Sequence, residues 1–377
     1  MDCSHVFDIK VKRLIGVFTL FLAFLTAASP VFAQVDSTTG SVDSVVVETA
    51  AAPVEADHHA EHGEEKFEPT KLIMEHISDS HMWHLWGHTS FPLPVILISK
   101  ASGLELFSSA HFHHGKEDYK GAINTYRLVD DKIKVVGADN QVDEAASSSV
   151  YDFSITKNVA AMFIAIAVIL IIFIAVAGAY KKREGKSPKG LQSFVEPLII
   201  FVRDDIARPN IGHNYAKFMP YLLTVFFFIW INNMMGLLPI FPGGANVTGN
   251  IAFTFVLSFI TLIMVNINGN KYYWKHILLP DVPFWLWPLM VVVEVIGIIS
   301  KPFALMIRLF ANITAGHIVV LSLIALIFIF KTAAIAPVSI AFVLFMDVLE
   351  LLVAFLQAFI FTLLSALFIG MAVEEHH

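Results

Sequence analysis

Apolar residues gather along the second half of this chain in runs too long for strands or for the helices of a soluble domain. Asn158 to Tyr180 is one such run of 23 residues. At about 1.5 Å rise per residue, that length crosses a hydrocarbon layer of about 30 Å. Phe218–Ile240 and Ile251–Ile267 predict two more spans, joined by the Pro/Gly-rich turn Phe241-Pro-Gly-Gly-Ala-Asn-Val-Thr-Gly249. Two longer apolar segments follow, Phe284–Phe330 and Thr332–Val373. The first, as a helix, would measure about 70 Å. Hydropathy allows two ordinary spans broken at Pro302 or one strongly tilted helix.

Between the first and second spans, residues 189–207 mix Phe194, Val195, Leu198, Ile199 and Phe201 with Glu196, Arg203, Asp204 and Asp205. That pattern predicts a helix lying on the membrane surface, with Pro197 weakening its first turn. Upstream, Pro94–Ile98, Tyr126–Val129 and Lys132–Val136 read as short strands, the last two around an Asp130–Asp131 turn. Residues 71–155 are therefore expected to form a small ordered domain. Residues 34–70, rich in Ala, Val, Ser, Thr, Asp and Glu without periodicity, read as a disordered acidic linker. Residues 1–33 read as a signal peptide, with Lys10, Lys12 and Arg13 before an apolar run and small residues at its end. The expected class is an all-α polytopic membrane protein carrying a small extracytoplasmic N-terminal domain with some β structure.

Composition agrees: hydrophobic residues make up 56%, mean hydropathy is +0.69 and there are 33 phenylalanines. The net charge of −7 hides an asymmetry. An acidic, His-rich first part precedes the basic cluster Lys181, Lys182, Arg183, Lys186 and Lys189. The positive-inside rule puts that cluster in the cytoplasm and the acidic domain outside. Cys3 is the single cysteine, so neither disulfides nor a thiol site is expected of the mature chain. Gly185-Lys186-Ser187 lacks the earlier glycine of a phosphate loop, since Tyr180 stands there. Neither a nucleotide site, a cofactor nor a nucleic-acid partner is expected.

The residue most at odds with its surroundings is Arg308, in Lys301-Pro-Phe-Ala-Leu-Met-Ile-Arg308-Leu-Phe-Ala-Asn312-Ile-Thr-Ala-Gly-His317. An arginine at membrane depth costs about 3 kcal/mol on insertion scales and marks an ion pathway or a partner charge. With a pKa above about 12 it cannot relay protons, so it suits a gate or counter-ion.

This stretch resembles the a subunit of rotary F-type ATP synthases, in Ser300-Lys301-Pro302, Arg308-Leu-Phe-Ala-Asn312 and Gly316. Asn232-Asn233-Met-Met-Gly-Leu-Leu-Pro239 and Leu356-Gln357-Ala-Phe-Ile-Phe-Thr362 match the same family, and the resemblance runs over about residues 155–377 in one order. It implies two long, nearly horizontal helices against a rotor ring, a b-type peripheral stalk as a further partner, and two proton half-channels.

If the last two segments form an antiparallel hairpin turning near Lys331–Ala334, Arg308 lies level with Gln357 and His317 beside Glu350. A histidine beside a carboxylate handles protons well, because each shifts the other's affinity for them. The resemblance implies an acid–His couple at these two positions. Asn312, one turn from Arg308, shares its face, whereas His317, nine residues on, points the other way. Arg308 is thus expected to face the rotor, with His317 and Glu350 lining an inlet behind it. Asn233 is expected to line the inlet from the neighbouring hairpin. Glu294, which a family glutamate matches, is placed on the exit path. Some family members carry an acid where Gly236 stands. Lys301 is read as snorkelling, and Asp347 as inlet-lining or water-facing.

Two rivals come from other classes. A secondary transporter would show internal repeats, which are not found. A membrane-anchored periplasmic metal-binding protein would use the outer histidines, with His81, His84 and His88 at helical spacing. That rival leaves Arg308, Glu294 and Glu350 unexplained.

Overall fold

The computed structural model describes Ile73 and residues 77–374, apart from 87–88, 101, 116, 130, 138, 184–185, 239–242, 281 and 331–334. The segments expected to be a signal peptide and an acidic linker lie outside the described residues. The chain is mostly helical, with a small β-rich region preceding four helices long and apolar enough to cross a membrane, or five if one bent pair is a single span. It is a multi-pass membrane protein.

The β-rich region holds three small antiparallel sheets. β1 (Met82–Trp86) pairs β2 (Thr89–Pro92). β3 (Pro94–Ser99) lies between β4 (Gly103–Ser108) and β8 (Val150–Asp152). β5 (Tyr119–Lys120), β6 (Thr125–Val129) and β7 (Lys132–Val136) form the third, with Asp131 at φ 58° closing the β6–β7 hairpin. The period-two pattern sends Val95, Leu97 and Phe107 inward onto Phe112, Tyr126 and Val135. The helical spacing expected of His81, His84 and His88 is not realised, because β1 runs through Met82–Trp86. His81 instead meets Asp152, Nε2 to Oδ2 at 3.0 Å.

A short helix α1 (Glu144–Ser147) precedes β8, and β8 leads straight into the first long helix, α2 (Lys157–Lys182). Thr156 at its N-cap makes no capping bond itself. The Asp79 carboxylate does so from the outer region, accepting from Asn158 N at 3.0 Å and Thr156 Oγ1 at 2.8 Å. A carboxylate at a helix N-terminus meets both orphan N–H groups and the helix dipole.

After α2, α3 (Leu191–Phe201) runs through Pro197 into a π-turn, then α4 (Arg208–Ile211) and the long α5 (Tyr215–Leu237). The sequence pattern suggests a helix ending near 207, and helical backbone continues beyond it. α5 is the hub: Phe218, Leu222, Phe226, Phe228 and Ile229 are all essentially inaccessible. It packs Phe227 on Phe173 of α2, and Phe226 and Trp230 on Phe355 of the last helix. α6 (Ile251–Ile267) turns by 102° into α7 (Lys271–Leu278). α8 (Trp287–Phe330, 44 residues) continues unbroken through Pro302, and α9 (Ala336–Val373) returns against it. Asn270 closes the end of α9, giving its N–H to Ala372 O and its Nδ2 to Val373 O, each at 2.8 Å. Terminal carbonyls without water need such donors.

α8 differs from α5 in one respect that matters below. Only 11% of its most apolar stretch is buried, against 72% for the stretch holding α5. Val292, Ile299, Phe303 and Ile307 of α8, with Leu344 and Val348 of α9, stand exposed.

The His81–Asp152 pair makes the outer region's attachment pH-sensitive. Burial opposes the charged imidazole, but the Asp152 hydrogen bond and the charges of Asp152, Asp79 and Asp131 outweigh it and hold His81 above its ordinary value. A group with a raised folded pKa stabilises fully below its unfolded value, about 6.5 for His, and loses that contribution as pH rises past the folded one. Amide-exchange protection of β1, corrected for intrinsic rates, should therefore fall between pH 6 and pH 9 in the wild type. His81→Gln should lower protection at pH 6 to about the level reached at high pH, and flatten the profile.

Candidate functional site

A small cavity lies where α5, the 243–250 loop, α8 and α9 converge. Its wall includes Asn233 and Gly236 of α5, Asn246 and Thr248 of the loop, Asn312 and His317 of α8, and Glu350 of α9.

The α8–α9 register is set at the cavity floor. Gly316 has no side chain, and Glu350 occupies the space this leaves. A Cβ at Gly316 would stand 2.5 Å from Glu350 Oε1 and 3.0 Å from its carboxyl carbon. His317 follows next along the helix and faces α5, where a Cβ on Gly236 would be 3.8 Å from its Nε2 and 3.3 Å from Ala245 O. Gly316 thus clears room for the carboxylate, whereas Gly236 makes room for the Ala245 carbonyl of the loop.

Asn233 joins three elements. Its Oδ1 accepts from Thr248 Oγ1 at 2.7 Å, and its Nδ2 donates to Ala354 O at 3.2 Å, one turn beyond Glu350. Neighbouring Asn232 turns inward instead, donating to Phe228 O at 2.7 Å. Thr314 Oγ1 reaches Gly249 O at 3.4 Å and ties α8 to the loop. Two buried polar atoms in this wall have no protein partner, Asn246 Nδ2 and Glu350 Oε1. Buried polar groups without partners are costly, so these two atoms mark this wall as polar inside an apolar bundle.

Arg308 lies outside the cavity. It is exposed on the α8 flank beside Ile307, and among the described residues it makes neither a hydrogen bond nor an ion pair. Gln357, by contrast, is buried, at 2% exposure. Asn312, exposed one turn from Arg308, borders the same cavity as His317, with Ile313 and Gly316 completing that strip of α8. Asp347 is exposed one turn before Glu350.

Glu294 sits near the start of α8, half-buried, with its Oε1 3.8 Å from His276 Nδ1 of α7. Two turns on, Lys301 lines a second small cavity with Tyr273, Thr261 and Phe368. Its Nζ rests 5.6 Å from the Phe368 ring centre, a cation over an aromatic face.

Asn246 and Thr248 carry no role in the sequence expectations beyond their place in the Pro/Gly-rich turn, yet both side chains are buried, and what marks them is polarity inside an otherwise apolar hairpin.

The family profile described as ATP synthase A chain matches residues 159–370. A second profile, a domain of unknown function (DUF8433), matches residues 72–153. A protein named ATP synthase subunit a from Chloroherpeton thalassium is 50% identical over 234 residues, 60% of this chain and 69% of its own length. One of that name from Chlorobium phaeobacteroides is 37% identical over 380 residues, 98% of this chain and 96% of its own. Another from Myxococcus xanthus is 44% identical over 233 residues, 60% of this chain and 75% of its own. On the family profile and the nearly full-length relative together, this chain belongs to the ATP synthase A chain family.

Proposed function

We propose that this chain is the stator a subunit of a bacterial F-type ATP synthase, and that it carries protons between the outer compartment and a ring of c subunits through two half-channels. The observation that carries the reading is one helix with two unlike faces. α8 turns His317, Gly316 and Asn312 to a polar cavity, and sets Arg308 on an unpartnered apolar flank.

Protons enter past Asn246, Thr248 and Asn233 to the His317–Glu350 couple. Glu350 can hold a proton at its carboxyl and His317 at a ring nitrogen, so each can pass one to water or to the other. From there the proton neutralises a ring carboxylate, which then tolerates the lipid. After most of a turn the carboxylate releases it on the exit side, near Glu294. Arg308, permanently charged, makes each returning carboxylate ionise and keeps protonated carboxylates from crossing between half-channels. The exposed apolar flank of α8 and α9 supplies the surface on which the ring turns. Residues 71–155 face the periplasm, the C-terminus faces the cytoplasm, and b-type subunits hold the chain against rotation.

Three tests follow from these roles. For orientation, cysteines placed at Asn140 and after His377 should label from opposite sides of intact cells; labelling from one side contradicts the topology. For the inlet, His317→Gln and Glu350→Gln should each slow proton entry more than ten-fold, and the double variant should be little worse than either, because residues acting as one unit are not additive. Exchanging the two residues should return part of the flux, measured as proton uptake into vesicles bearing the membrane sector. For the gate, Arg308→Ala should abolish ATP synthesis and pumping in an assembled complex while passive proton leak rises. Arg308→Lys should also fail to couple, since a desolvated ammonium can lose its proton. ATP synthesis near the wild-type rate in Arg308→Ala would remove Arg308 from the mechanism.

A further inference from the structure

We propose that Trp83, in the outer region, is a positioning residue for the inlet: it braces the loop that roofs the polar cavity. The inference rests on the reading of that cavity as the proton inlet.

Trp83 belongs to β1, in the outer region, yet it is 2% exposed and packs with the buried apolar side chains of the membrane helices. Its indole Nε1 donates to Gly243 O at 3.2 Å, across 160 residues of sequence. Gly243 opens the segment that carries Asn246 and Thr248 into the cavity wall. That segment is folded tightly against the end of α5. A Cβ on Gly243 would run into the Leu238 carbonyl and lie 2.8 Å from Met235 O, and Gly244, at φ +75°, donates its N–H to Met235 O at 3.3 Å. At its other end, Asn246 Oδ1 accepts from Gly249 N at 2.9 Å, Thr248 holds Asn233, and Gly249 O accepts from Thr314.

The roof is therefore tied to α5 and α8 on its cavity side and to Trp83 on its outer side. Trp83 is itself held. Just upstream of it, Ser80 O accepts from Lys157 N at 2.8 Å, Asp79 caps α2, and His81 bonds Asp152. The load path thus runs from the start of α2 through β1 and one indole N–H to the outer edge of the inlet. Releasing that N–H frees Gly243 and lets Asn246 and Thr248 wander from the positions in which they present polar atoms to Glu350 and His317. Proton capture at the mouth then suffers, while rotation and catalysis, which do not involve this edge, keep their pace.

The test uses the whole synthase in vesicles, with ATP synthesis followed against pH on the inlet side at fixed potential and fixed pH on the other side. Trp83→Phe keeps a buried aromatic ring and removes the donor; Trp83→Ala removes both. Loss of one hydrogen bond of ordinary strength corresponds to a change of about three-fold or more. In Trp83→Phe the inlet-side proton concentration giving half the maximal rate should rise by about that factor, with the maximal rate within about two-fold of wild type. A merely structural role would lower the amount of assembled complex and leave the normalised pH profile on top of the wild type; that result overturns the proposal. If Trp83→Ala fails to assemble, Trp83→Phe decides alone. Glu350→Gln separates the two layers of argument. Should it stop proton entry while the Trp83→Phe profile matches wild type, only the brace is refuted. Should it leave entry unchanged, the inlet reading falls and the brace with it.

Discussion

Everything at the polar cavity depends on the close approach of Glu350 to Gly316. Two apolar helices could slide past one another in lipid at small cost, because one leucine facing another is much like its neighbour. A carboxylate lodged over a glycine cannot slide, since the next residue in either direction carries a side chain that fills the gap. Small residues that let helices approach are a common means of fixing helix pairs in membranes, and here the partner that fills the gap is polar. The register fixed in this way brings His317 and Glu350 to the same cavity and leaves Arg308 nine residues away on another face.

The same lipid environment explains the remaining polar arrangements. Asn233 joins α5, the loop and α9 because its amide has both a donor and acceptors to satisfy, and each finds a protein partner. Asn232, Thr224, Thr362 and Ser365 donate to carbonyls of their own helices. Of the buried side-chain atoms without a protein partner among the described residues, Asn246 Nδ2 and Glu350 Oε1 share the cavity wall, whereas Asn232 Oδ1 and Ser339 Oγ do not line it.

Much of this was legible in the sequence because helices are regular. A fixed rise and a fixed angle per residue let a turn position near residue 333 predict which residues of α8 and α9 meet, and Gly316 against Glu350 lies within one residue of that register. The β6–β7 hairpin was legible for the same reason, from alternation around Asp130–Asp131. What stayed hidden depends on contacts without local pattern. The continuation of α3 through a π-turn into α4 is decided by packing against α9, where Gly370 makes room for the Asn210 carbonyl. Thr248 reveals itself only through Asn233, and Trp83 only through Gly243. The histidines at 81, 84 and 88 fit a helix by spacing, but β1 is built from neighbours across a sheet, which spacing does not record.

The bare flank of α8 has a consequence for a lone copy of the chain. A guanidinium without a partner among the described residues, set amid exposed Phe303 and Ile307, leaves a newly inserted copy with a charge facing acyl chains. Such a copy distorts the bilayer around it, drawing in water and lipid headgroups to solvate the charge. A copy of the chain standing alone in lipid therefore bears a cost that covering this flank would remove.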